Sequence, residues 1–408
     1  MVNVDIIIKN ANELITLKGP NKPRTKKEMN NLSIIKNGYI AIKDGVIIEV
    51  GKNLKYDSEN VIDATGKTVM PGFVDPHTHL VFAGTREFEL DWKLKGMSYT
   101  DIQKKGGGIL YTVNETRKAS VDSLIKQSRT RLDNMIAYGT TTCEAKSGYG
   151  LDVKTELKIL NIQKELKEKH PIDIVSTFLG AHAIPKEHNA EDYIDIVINE
   201  MLPRVKKSAK FCDVFCEKGV FTVKQSKRVL EAGKKVGLIP KIHADEIADT
   251  GGAALAAEIG AISADHLLKS NEKGLKQMAK KGVIGILLPG TPFSLMMKEY
   301  ANARKIINLG VPVALATDLN PNCYIENMQF IIQLACMNMK MTPAEALAAS
   351  TFNAACAIGM NKKIGSLEKG KQADVIILDS PNHMFIPYYY GTNLVKTVIK
   401  KGKILKTI

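Results

Sequence analysis

The chain has 408 residues, a formal net charge of +14 and 44% hydrophobic residues, a length that favours one large domain with a smaller companion. No run approaches the ~18 apolar residues of a membrane span, and the amino end lacks the basic start, apolar stretch and cleavage site of a secretory leader, so a soluble cytoplasmic protein is expected. Six scattered cysteines argue for reduced thiols over a disulfide framework, and lysines interleaved with glutamates on helix-like stretches, without a basic stripe carrying stacking aromatics, argue against nucleic acid as a partner.

Residues 1 to 68 hold short apolar runs (Ile6-Ile7-Ile8, Tyr39-Ile40-Ala41-Ile42, Val46-Ile47-Ile48) separated by Lys-Asn-Gly and Lys-Asp-Gly turns, the pattern of a small sheet. The same texture returns near the carboxyl end in Val375-Ile376-Ile377-Leu378 and Val395 to Ile399. The expectation is a composite β-sandwich domain from 1–68 with 367–408, and a second domain over 69–366.

Within 69–366 apolar strands alternate with helical stretches. The strands are expected at Phe73–His79, Thr140–Ala145, Ile174–Gly180, Asp213–Cys216, Lys241–Ala244, Ala261–Leu267, Val283–Leu288 and Val313–Thr317, with helices such as Val121–Ala137, Lys154–Lys169 and Thr250–Glu258 between them. Eight such units predict an α/β fold, a (β/α)8 TIM barrel with the small β domain on its flank and active-site groups at the carboxyl ends of the strands. A doubly wound sheet is the alternative, but no Gly-x-Gly-x-x-Gly opens a helix after a strand. Gly106-Gly107-Gly108 reads as a flexible loop near the site mouth, and Cys212-x-x-x-Cys216 as buried strand positions.

Polar residues gather at those strand ends. On an extended strand His77 and His79 face the same way and offer two imidazoles to one ion. His182, His243, Glu246, His266 and Asp318 follow at later strand ends. Imidazoles with a carboxylate suit a borderline metal such as zinc, which keeps an open position for water in catalytic sites and brings that water's pKa near neutrality. Geometry alone leaves open whether His266 binds the ion or the water.

The motifs Pro71 to His79, His243-Ala244-Asp245-Glu246, Ser263 to Leu267 and Ala316-Thr317-Asp318 resemble the amidohydrolase superfamily, and the resemblance spans essentially the whole chain. Val81 to Arg86, Glu144 to Gly150, Phe178 to His182 and Asp318 to Pro321 are similar to its imidazolonepropionase family. The resemblance implies one zinc or iron ion per chain on His77, His79, His243 and Asp318, with His266 orienting the attacking water and Glu246 moving its proton. It implies Arg86 for the carboxylate of a small anionic substrate, and Tyr149, His182, Glu246 and Asn320 around the ring and product. The pair after Pro321 departs from the family's small Gly-Ser or Gly-Thr: Asn322 and Cys323 stand there, with backbone contacts to substrate implied. Lys218 lies near the position of the metal-bridging modified lysine of binuclear relatives, and His182 fills that side of a one-metal site. The implied activity is metal-hydroxide hydrolysis of the C–N amide bond of 4-imidazolone-5-propanoate to N-formimino-L-glutamate, in a homodimer. One rival is an aminohydrolase that releases ammonia from a heterocyclic base and has no use for Arg86. Another is a non-catalytic scaffold, which would purify without metal.

Overall fold

The computed structural model describes residues 2–97 and 99–407. Eight parallel strands form one sheet in sequential order, numbered here β1 (Phe73–Asp75), β2 (Thr140–Lys146), β3 (Asp173–Ala181), β4 (Phe211–Cys216), β5 (Ile239–Ala244), β6 (Ser263–His266), β7 (Ile284–Leu287) and β8 (Val313–Leu315). Their β-branched and aromatic runs are almost wholly buried, as strands covered on both faces require. Helices run between them along the outside. Val121–Ala137, for example, is capped by Ser120, whose side chain accepts from the Ser123 N–H, and it turns Leu124, Leu132 and Met135 inward; Gly139, at φ +94, follows its end.

The sheet closes through residues just past the first and last strands. Thr78 bridges Leu319, the Asp318 N–H donates to the His77 carbonyl at 3.1 Å, and the His79 N–H donates to the Leu319 carbonyl at 2.8 Å. The structure is therefore the (β/α)8 barrel that the eight strand-helix units predict. One expectation needs correction. Strand β1 ends at Asp75, because Pro76 has no N–H to continue the ladder, so His77 and His79 lie on the closing segment beyond the strand. Their alternation survives because that segment remains extended against 318–319.

The remaining strands come from both chain ends. Lys403–Thr407, Val395–Lys400, Val375–Leu378, Thr68–Pro71, Glu13–Ile15 and Ile34–Ile35 make a six-stranded sheet; Val46–Gly51, Gly38–Lys43, Ile6–Ala11 and Val61–Asp63 make a four-stranded one. Side chains of both, including Ile8, Leu14, Ile40, Val69, Val375 and Ile377, share one apolar core. Gly72 joins the six-stranded sheet to β1, and a Cβ there would stand 2.3 Å from Thr141, so only glycine lets the two segments approach so closely. Among the described residues no helix is long and apolar enough to cross a membrane. The described cysteines are free thiols, and Cys212 and Cys216 are buried on β4.

Candidate metal centre and active site

His77, His79 and His243 converge at the carboxyl ends of the barrel strands, each offering a nitrogen within 4.8 Å of the others'. Rings of His77 and His243 lie 4.6 Å apart, and those of His77 and His79 5.4 Å. Asp318 lies beside this group: Oδ1 is 3.4 Å from Nε2 of His77 and 3.6 Å from Nε2 of His79. The other carboxylate oxygen accepts a 2.5 Å bond from Thr291, which fixes the turn of the carboxylate.

These side chains are buried, yet Nε2 of His77, Nδ1 of His79 and both nitrogens of His243 have no hydrogen-bond partner. Such orphans cost free energy unless something else satisfies them. Burial first, then the charges of Lys146 and the other histidines, hold His77 and His79 well below the usual imidazole range. Buried imidazoles with unpaired nitrogens beside one carboxylate are what a divalent zinc or iron ion needs, so the donor set fits a metal. His243 differs: burial lowers it, but the Asp213 carboxylate outweighs burial and raises it.

Around this group stand the other residues singled out in the sequence. His266, the last residue of β6, adopts φ +78, and Asp318 φ +53; left-handed backbone at non-glycine residues concentrates where function fixes the geometry. His266 Nε2 is 3.7 Å from Glu246 Oε2. Glu246 lies two residues past β5, and burial, reinforced by the Asp318 charge, pushes its carboxyl up to about 8. His182 follows β3 directly and stacks on His79 at 4.8 Å. Its Nδ1 is 3.0 Å from the Gly148 carbonyl, which makes Nδ1 the donor and leaves Nε2 as acceptor, and burial lowers its pKa to about 3. Tyr149 packs edge-on against both His79 and His182, at 5.6 and 5.3 Å.

Arg86, implied by the resemblance for the substrate's carboxylate, is itself paired with a carboxylate of the chain. Arg86 is buried, and its Nε and Nη2 donate to Glu89 at 2.7 and 2.8 Å. The Gly108 N–H also donates to Glu89, at 2.6 Å. A Cβ on Gly107 would fall 2.8 Å from the same carboxylate, whereas Gly106 has open space around it, so Gly107 and Gly108 are the part of the glycine run that packs against Glu89. Lys93 reaches Asn322 Oδ1 at 2.6 Å.

The loop after β8 is held by its own hydrogen bonds. Asn320 spends its side chain locally, accepting from the N–H groups of Asn322 and Cys323 at 2.8 and 3.0 Å and donating to the Asp318 carbonyl at 2.8 Å. The Cys323 thiol is fully buried and points at the Thr317 carbonyl. With their polar groups so engaged, Asn320 and Cys323 shape the loop. Lys218 is exposed beyond β4 and does not join the histidines.

Several supporting residues escape a reading of the sequence. Glu217, at the end of β4, accepts from the N–H groups of Ile247 and Ala248 at 2.9 and 3.2 Å and so holds the loop that carries Glu246. Glu156 accepts from Gly148, Gly150 and Leu151 at 3.0, 2.7 and 3.0 Å, pinning the turn with Tyr149. The only signal for either is a lone carboxylate at a strand or helix end, too common to stand out.

The amidohydrolase family model matches residues 68–405. The imidazolonepropionase of Alkaliphilus metalliredigens is 53% identical over 413 residues, covering 98% of each chain; that of Geobacillus kaustophilus is 52% identical, covering 98% of this chain and 97% of its own. Among solved structures, a 5-methylcytosine deaminase from Klebsiella pneumoniae superposes with a TM-score of 0.75 at 17% identity over 98% of both chains. A zinc-bound adenosine deaminase from Xanthomonas campestris gives 0.73 at 17% identity, covering 100% of this chain and 94% of its own. At such identities the likeness speaks for the barrel alone. The full-length relatives go further, and the chain belongs to the amidohydrolase family and, within it, to the imidazolonepropionases.

Proposed function

We infer that the protein hydrolyses the ring C–N amide bond of 4-imidazolone-5-propanoate, giving N-formimino-L-glutamate. The observation that carries the substrate is the 53% identity to an imidazolonepropionase along 98% of both chains; the convergence of His77, His79, His243 and Asp318 supports the chemistry. One zinc or iron ion, held by those four residues, would supply Lewis-acid polarisation of the ring carbonyl and activation of the attacking water.

The chain's own groups do the rest. Glu246 takes a proton from the attacking water and delivers it to the ring nitrogen as the C–N bond breaks, a role for which a largely buried carboxylate facing His266 is suited. His266, 3.7 Å from Glu246, orients the water and the developing oxyanion. Arg86, already aligned by Glu89, takes the propionate carboxylate, with a guanidinium fork suited to two oxygens. Tyr149 and His182 hold the ring and then the product, with Asn320, Asn322 and Cys323 shaping the adjacent wall. Water adds to the carbonyl carbon, nitrogen leaves with a proton, and no ammonia is released. The working form is proposed as a cytoplasmic homodimer, for which sedimentation velocity is the check on assembly.

Metal-replete protein mixed with fresh imidazolone propionate tests the reading. Loss of the ring's ultraviolet absorbance without ammonia is the expected result. An inert substrate, or stoichiometric ammonia, would defeat it.

A further inference from the structure

Below the histidines the barrel interior holds five formally charged side chains, Glu144, Lys146, Asp213, Lys241 and Asp265, none with measurable exposure. Lys146 Nζ is 2.7 Å from Asp213 Oδ2, 3.0 Å from Glu144 Oε2 and 3.4 Å from Asp265 Oδ2. Lys241 Nζ is 2.8 Å from Glu144 Oε1 and donates to the Pro76 carbonyl at 3.1 Å. Barrel interiors are ordinarily filled with branched aliphatic layers, and replacing a buried ion cluster by such residues is often neutral or stabilising. Stability alone therefore does not account for it.

Two of the carboxylates lie directly behind ligand histidines. Asp265 Oδ2 accepts from Nδ1 of His77 at 2.6 Å, and Asp213 Oδ2 stands 3.1 Å from Nδ1 of His243. Each carboxylate is also oriented by its other oxygen, Asp265 by the Ser263 hydroxyl at 2.8 Å and Asp213 by the Val214 N–H at 2.7 Å. The Asp265 bond fixes the His77 tautomer that leaves Nε2 free for an ion and sets that ring's direction, while Asp213 stands by charge beside His243, whose Nδ1 makes no hydrogen bond. Among the described residues Lys146 is the cation within 4 Å of both Asp213 and Asp265.

We propose that Lys146 is a positioning residue for the metal centre: one ammonium ties Asp213 to Asp265 and through them aims His243 and His77 at a common point. This rests on the metal-centre reading above. Removing the ammonium takes from Asp213 and Asp265 the one cation within 4 Å of both among the described residues, so both imidazoles lose their aim together. Lys241 offers the comparison: it is equally buried, but among the described residues its ion pair within 4 Å is with Glu144, and it reaches the histidines only through the Pro76 carbonyl.

Full-length protein stripped of metal and titrated with Co²⁺ tests this, with the visible d–d bands reporting ligand geometry and near-ultraviolet dichroism checking the fold. Lys146→Met is expected to weaken Co²⁺ binding by ~10–100-fold and shift the bands, while Lys241→Met stays within about threefold of wild type. Should Lys146→Met fail to fold, Asp265→Asn stands in for it, keeping the volume while removing the charge behind His77, and is expected to weaken Co²⁺ by ~10-fold. Unchanged affinity and bands in a folded Lys146→Met, or in Asp265→Asn, would overturn the proposal, as would an equal loss in Lys241→Met. Wild-type protein that takes up no Co²⁺ would instead bring down the metal-centre reading itself, so the two failures are distinguishable.

Discussion

Glu246 and Arg86 separate chemistry from binding. The loop that carries Glu246 is anchored from behind by Glu217, so Glu246→Gln should leave the melt and the metal content unchanged. Turnover should fall by ~10²-fold or more, since the amide cannot carry the proton; single-turnover assays with near-normal rates would remove it from the mechanism. Arg86→Ala should chiefly raise KM, by the ~10–150-fold that about 1.5–3 kcal/mol of a charge-assisted contact represents. It should also lower the melting temperature, because Glu89 is wholly buried and loses two of its donors; a variant with unchanged KM would take the propionate elsewhere. The histidines are readable in the sequence because only eight occur in the chain and His77, His79, His182, His243 and His266 fall at or near expected strand ends, and Asp318 because it follows the last apolar strand-like run. Lys146, Asp213 and Asp265 are not, since a charge inside an apolar strand declares neither its face nor its partner until the barrel closes.

At the scale of elements, the eight strands are legible from alternating apolar runs, and the helix Val121–Ala137 ends where its Ser120 cap and Gly139 place it. Strand ends are not, because the ladder stops where hydrogen bonding to a distant segment stops: β1 ends before Pro76 and β8 at Leu315. The turn after β2 shows what this means for the site. Gly148 has φ +111, and a Cβ there would come within 2.8 Å of the Leu179 carbonyl and 2.9 Å of His182 Nδ1. Gly148→Ala should therefore cost about 1–3 kcal/mol of stability and displace His182, raising KM along with the loss in urea midpoint. Gly66, at φ +74 with nothing within 4 Å of where a methyl would stand, is the control for backbone conformation alone: Gly66→Ala should lose only the smaller backbone cost and leave KM as it was. Equal effects at the two positions would deny the turn any part in holding His182.

Across the whole molecule, the metal centre occupies one end of the barrel and an ion cluster from the terminal sheet grips the other. Asp173 opens β3, at the amino end, and receives Lys400 at 2.8 Å and Lys401 at 2.6 Å from the carboxyl-terminal hairpin. Lys400 also pairs with Asp374 at 2.7 Å, and Gln372 donates to both Asp173 and Asp374, at 2.9 and 2.8 Å. Burial pushes the Asp173 carboxyl upward, but the Lys400 charge and the bonds from Gln372, Lys400 and Lys401 outweigh it and leave the group well below the usual carboxylate range. A carboxyl depressed in the folded state contributes stability that is complete above its unfolded pKa, near 4, and is lost as pH falls toward the folded value. Asp173→Asn should therefore be less stable than wild type at pH 7, by about 1–3 kcal/mol for charged hydrogen bonds lost, and the difference should shrink as urea melts are repeated at pH 5, 4 and 3. Curves that stay parallel down to pH 3 would show that the hairpin is held by its apolar contacts, Val395 and Val398 among them, and not by this ion cluster. Because Asp173 sits at the end of β3 opposite His182, kcat and KM at pH 7 should be unaffected in the same variant, which makes the docking of the terminal strands and the chemistry at the barrel mouth separately measurable.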